Sequence, residues 1–217
     1  MNNINLFIIS NNPNSYITFK YCFEKNKDIN FIDCSYNKIS DIKVINPKKY
    51  NVLHCNDFID NNQVIKNIIH YSKKIKIIVI LEDPLKRITD YAIENKDCLI
   101  NNVEELFLHE CRYVKHIKNM LNEISMKKIY ILIHETFINN YEENSKHICD
   151  FLQIEYSCNN LVVNKNAFKL KDHIINIIIE HYKEFNNNLE ICLNRLKPIG
   201  LVTFQDHLVL PWNKNTI

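Results

Sequence analysis

At 217 residues, with 27 Lys and Arg against 25 Asp and Glu, the chain suits one domain spanning 1–217, and its formal net charge of +2 supplies no basic field for nucleic acid or an anionic membrane. The single glycine, Gly200, excludes both a G-x-G-x-x-G dinucleotide fingerprint and a Walker A phosphate loop. Eight cysteines without a CxxC pair, no basic leader before a long apolar run and no N-x-[ST] acceptor point to free thiols in a cytoplasmic protein with no membrane segment.

Ile4 to Ser10 is an apolar stretch predicted as a strand, followed by Asn11-Asn12-Pro13-Asn14-Ser15 and a segment with Ile17, Tyr21 and Cys22 at helical spacing. Asn12 is suited to cap that helix and Pro13 to its first turn, so the N–H groups at its start form a candidate phosphate site. Asn30 to Cys34 and Asn51 to His54 read as short strands, with the polar stretch Ser35 to Tyr50 as an irregular connection between them. Imidazole is the side chain whose ordinary pKa suits proton abstraction near neutrality, so His54 at a strand end is a candidate general base. Gln63 to Tyr71 reads as a helix from Val64, Ile65, Ile68 and Ile69. The run Ile75 to Leu81 is too short to span a membrane and too continuous for a half-exposed strand, which suits a parallel strand covered on both faces. Asp83-Pro84 ends it and opens a helix carrying Leu85, Ile88 and Tyr91.

Val103 to Ile124 has the spacing of a long amphipathic helix, and Lys127 to His134 that of another buried strand. Helices are predicted over Asn139 to Leu152 and Asp172 to Arg195, and a short β-like run over Leu201 to Phe204. Neither His109-Glu110-Cys111 nor the pair His147 and Cys149 shares a helix face, so no metal site is expected.

The segment KIKIIVILEDPLKRITDY, an apolar strand followed by Asp83-Pro84 and then Arg87, resembles the nucleotide-binding segment of the sulfotransferases, which use 3′-phosphoadenosine 5′-phosphosulfate (PAPS). Further similarities follow in the family's order. They are the N-terminal strand and loop around Asn12, Asn14 and Ser15, the strand-end His54, Tyr113, the string ILIHETFINNYEENSKHICDFLQIE, the element Val163-Asn164-Lys165-Asn166, the helix HYKEFNNNLEICL and the late Trp212. The resemblance implies a three-layer α/β/α fold with a central, mostly parallel, P-loop-like sheet. It also implies transfer of a sulfuryl group from PAPS to a hydroxyl of a glycan or small molecule, with His54 as base. By position it assigns the cofactor to Asn12, Asn14, Ser15, Arg87, Asp90 and Lys165, with Lys169 and Lys171 near the last of these. Three positions depart from the pattern: Pro13 stands where the loop lysine belongs, Glu82 replaces the leading arginine and Asp90 replaces a serine. Those changes imply, as the alternative, a non-catalytic binding protein that has lost PAPS.

Overall fold

In a computed structural model, the chain is described at residues 4–10, 12–32, 50–55, 75–88, 113–159, 172–196 and 210–212. Its centre is a sheet of five parallel strands: β1 (Ile4–Ser10), β2 (Ile29–Ile32), β3 (Tyr50–Cys55), β4 (Lys76–Leu81) and β5 (Ile129–Ile133). The strand order is β2-β3-β1-β4-β5, with Ile8 opposite both His54 and Ile78, and Ile80 opposite Leu132. The continuous apolar character of β1, β4 and β5 follows from this placement, because both faces of each are covered.

Alternate residues separate into two cores. Leu6, Ile8, Val52, Ile78, Ile80, Tyr130 and Leu132 face α1 (Pro13–Phe23) together with Phe137, Ile148 and Leu152 from two later helices. Phe7, Ile9, Leu53, Ile77, Val79, Leu81, Ile131 and Ile133 face the opposite layer, which supplies Ile117, Met120, Leu189 and Leu193. The arrangement is the expected three-layer α/β/α sandwich. Each fully buried Phe or Ile adds about 1.5–3 kcal/mol to it.

The remaining α-helices among the described residues are α2 over residues 84–88, α3 (Tyr113–Glu123), α4 (His134–Asn139), α5 (Tyr141–Leu152) and α6 (Asp172–Leu196). The single helix expected over Asn139 to Leu152 is in fact the second of two. Asn140, at φ −131° and ψ 50°, breaks the backbone, and Asn144 Nδ2 bridges the break by donating to the carbonyls of Asn140 at 2.8 Å and Thr136 at 3.3 Å. Gln153 then ends α5 in the left-handed region at φ 58°, with Ile154 N–H donating to Cys149 O at 3.0 Å. This is a glycine-type helix stop made without glycine. The expected helix Gln63 to Tyr71, the first part of Val103 to Ile124, the connection from Ser35 and the run Leu201 to Phe204 lie outside the described residues.

Candidate functional site

The carboxyl ends of β3, β1, β4 and β5 lie side by side on one edge of the sheet, and the chain switches sides of β1 between β3 and β4. Open α/β sheets bind ligands at such switch points. Here that edge is filled by a connected set of polar side chains.

β1 ends in Ser10, which is fully buried. Its hydroxyl donates to the Asn12 carbonyl at 3.2 Å and lies 2.7 Å from His54 Nε2. The His54 ring stacks on Tyr16 of α1, centroids 3.6 Å apart and planes 8° apart. Burial lowers the His54 pKa to about 4, so the ring is neutral at pH 7. With Nε2 engaged by Ser10, only Nδ1 is left for a proton from elsewhere.

Asn12 caps α1, as its position before Pro13 predicts: its Oδ1 accepts the Asn14 N–H at 2.8 Å. Its other side-chain atom has a less local role. Asn12 Nδ2 donates to Glu82 Oε2 at 2.5 Å, tying the start of α1 to the end of β4. Glu82 is 2% exposed; its Oε1 receives the Lys86 ammonium one turn along α2 and lies 3.0 Å from His134 Nδ1, a close contact that is not an aligned hydrogen bond. Burial pushes the Glu82 carboxyl up, but His134 and Lys86 together outweigh it and hold the pKa at about 2. Glu82 is therefore an ionised, interior carboxylate. Tyr113 OH donates to its backbone carbonyl at 3.0 Å and fixes the strand end against α3.

Asp83 starts α2 by accepting the Leu85 N–H on Oδ1 at 2.9 Å, and its own N–H donates to Glu135 Oε1 at 3.0 Å. Burial raises Asp83 to about 6 and Glu135 to about 8. Buried side-chain atoms on this edge with no hydrogen-bond partner among the described residues include Ser15 Oγ, both ring nitrogens of His134 and Glu135 Oε2. On the other side of Asp83 a cavity of about 80 Å³ is bounded by Tyr182, Asn186 and Trp212. That is well below the roughly 300 Å³ at which small-molecule pockets begin.

Of the residues expected to form the site, Asn12 and His54 join one network through Ser10. Asn14 is exposed and its N–H is spent on the cap, while Ser15 is buried. Arg87 is half-buried in α2, its backbone N–H on Asp83 O at 3.0 Å. Asp90, Lys165, Lys169 and Lys171 lie outside the described residues. Ser10, Tyr16, His134 and Glu135 were not singled out for a site. Ser10, His134 and Glu135 carry a sequence signal, as polar residues placed after the apolar runs LFII and YILI, whereas Tyr16 has none of that kind.

No family model matches the sequence, and no curated protein matches it. Solved structures do. A sulfotransferase from Alicyclobacillus acidocaldarius superposes with a TM-score of 0.70 over 87% of this chain and 94% of its own, at 10% identity. Mouse sulfotransferase SULT7A1, crystallised in complex with PAP, superposes with a TM-score of 0.54 over 72% of this chain and 61% of its own, at 15% identity. The class is thus an α/β protein with a parallel sheet and a polar carboxyl edge; the particular fold is that of the sulfotransferases.

Proposed function

We propose that this chain is a sulfotransferase-fold binding protein whose donor cleft is closed to PAPS by its own acidic network, so that it does not transfer sulfuryl. The observation that carries the reading is Glu82. Its carboxylate is ionised, buried and hydrogen-bonded to Asn12 at the start of α1, on the crevice where the resemblance puts the cofactor's anionic groups. A phosphate at contact with an unpaired carboxylate is repelled by up to about 4 kcal/mol at an effective dielectric of 20, and the Lys86 ion pair lessens that repulsion at Glu82. Lys86 already neutralises Glu82, which leaves no spare cation from that pair for a phosphate. The Asn12 side chain is bonded at both ends, and Pro13 replaces the loop lysine. The residues present therefore do not fit PAPS, and no transfer step is derived through it.

The test is calorimetric titration with adenosine 3′,5′-bisphosphate. No binding by the native chain is the expected result. Micromolar binding that disappears in Arg87→Ala overturns the proposal and restores the alternative, a divergent PAPS-dependent enzyme acting on a hydroxyl of a glycan or small molecule. Affinity that emerges only in Glu82→Arg identifies Glu82 as the residue that closes the cleft.

A further inference from the structure

We infer that Glu82, His134 and Glu135 form a binding site for a divalent transition-metal ion at the carboxyl ends of β4 and β5. The inference names a ligand class for the acidic cleft described above and rests on that reading. One ligand atom from each of the three residues lies within 4.8 Å of the other two. The chemistry of the set, one imidazole nitrogen and two carboxylates, suits zinc, manganese or iron(II), whereas calcium and magnesium favour oxygen alone.

Proximity of acidic groups alone would not make a site; the bonding around each ligand adds to it. Glu135 is held through Oε1 by the Asp83 N–H at 3.0 Å, and its Oε2 is buried with no hydrogen-bond partner among the described residues. His134 is 2% exposed, and neither of its ring nitrogens has a hydrogen-bond partner among them; Nδ1 is the one that faces Glu82 Oε1. Buried polar atoms of this kind are uncommon in folded proteins and mark a missing ligand or water. Asn12 Nδ2 holds Glu82 by Oε2 at 2.5 Å, which turns Oε1 toward His134 Nδ1 at 3.0 Å. Such outer hydrogen bonds orient metal ligands. A tetrahedral ion about 2.1 Å from each ligand sets the ligand atoms about 3.4 Å apart. The Glu82 and His134 pair is already near that spacing, and side-chain rotation closes the rest.

The position already receives positive charge, because the Lys86 ammonium rests on Glu82 Oε1. The Lys86 side chain is 40% exposed, so it can withdraw into solvent when a doubly charged ion takes its place. It is a competitor within the chain, and removing it tightens the metal site.

Manganese(II) is the probe, since Cys22, Cys149 and Cys158 are free thiols that would also take up zinc. The metal-stripped chain is titrated with MnCl2, following the electron paramagnetic resonance signal of the free ion. The expected result is saturable binding that weakens at least about tenfold in Glu135→Gln and in His134→Asn, as loss of a ligand or its support does. Lys86→Met should bind several-fold more tightly than the native chain. Circular dichroism confirms that each variant is folded, and Lys86→Met, altered only at a half-exposed side chain, keeps the test valid if the buried variants do not fold. Absence of saturable binding in both the native chain and Lys86→Met overturns the site, as does binding unchanged in folded Glu135→Gln. Adenosine 3′,5′-bisphosphate titrated into the same metal-stripped protein separates the two readings. Its binding overturns the closed cleft, whereas silence toward both ligands overturns the metal site alone.

Discussion

At the amino-terminal edge of the sheet, Lys76 and Tyr50 reach the end of α5: the Lys76 ammonium donates to Phe151 O, and Tyr50 OH donates to Leu152 O at 2.6 Å. Lys76 also lies over the rings of Phe151 and Tyr50, 5.1 and 5.9 Å from their centroids. A cation on the last carbonyls of a helix completes its bonding and opposes its dipole. At the carboxyl edge the polar groups are more numerous and less settled. Glu82 is bonded on both oxygens, yet Ser15, His134 and Glu135 each keep a buried atom without a partner among the described residues. The difference separates structural polar burial from polar burial kept for a ligand: satisfied groups hold elements together, and unsatisfied ones mark a site.

The largest effect that tests this contrast is acid sensitivity at His54. Its folded pKa of about 4 lies below the ordinary 6.5, so the stability it contributes is complete above pH 6.5 and is lost as pH falls through about 4. The loss amounts to roughly 3 kcal/mol. Urea melts between pH 7 and 4 should show it in the native chain and much less of it in His54→Gln; equal slopes would break the assignment. Next, Glu82→Ala removes the partner of Asn12, His134 and Lys86 together. Breaking a buried pair costs about 3–5 kcal/mol, and since Lys86 can rehydrate, about 2 is expected in denaturant unfolding. An unchanged midpoint would mean that Glu82 is kept for ligand binding alone.

At the opposite edge Lys76→Met should cost only about 1 kcal/mol, because water replaces the ammonium on Phe151 O. The same variant should leave manganese binding unaltered, and a change there would show that the two edges are coupled. The smallest effect has the opposite sign. Gln153 holds a left-handed conformation that glycine adopts without penalty, so Gln153→Gly should raise stability by about 0.5–1 kcal/mol in thermal melts.

Much of the layer structure was legible in the residues. Continuous isoleucine-rich runs bounded by Asn, Asp and Pro can bury only as covered strands, and Asn12-Pro13 announces a helix start that the structure contains. The break at Asn140 was not legible, because the Asn144 side chain that bridges it is as compatible with an unbroken helix. The site was visible only in fragments. Glu82 stood out as a departure from the sulfotransferase pattern and His54 as a strand-end imidazole, but Glu82 lies 70 residues from Asn12, and Asp83 lies 52 from Glu135. Periodicity within one helix, the basis for expecting no metal, says nothing about side chains that different elements bring together, such as Glu82 after β4 and His134 and Glu135 in α4.

The sequence by itself determined which stretches become covered strands and where α1 and α2 start, since those outcomes follow from local apolar continuity and from side chains bonding their neighbours' backbone. Only the tertiary structure decided that β1 lies between β3 and β4, with β5 beside β4. Runs of Ile, Leu and Val are nearly interchangeable as parallel partners, so strand order depends on how the helical layers pack over the whole sheet. That order brings Asn12, Glu82, His134 and Glu135 to one edge.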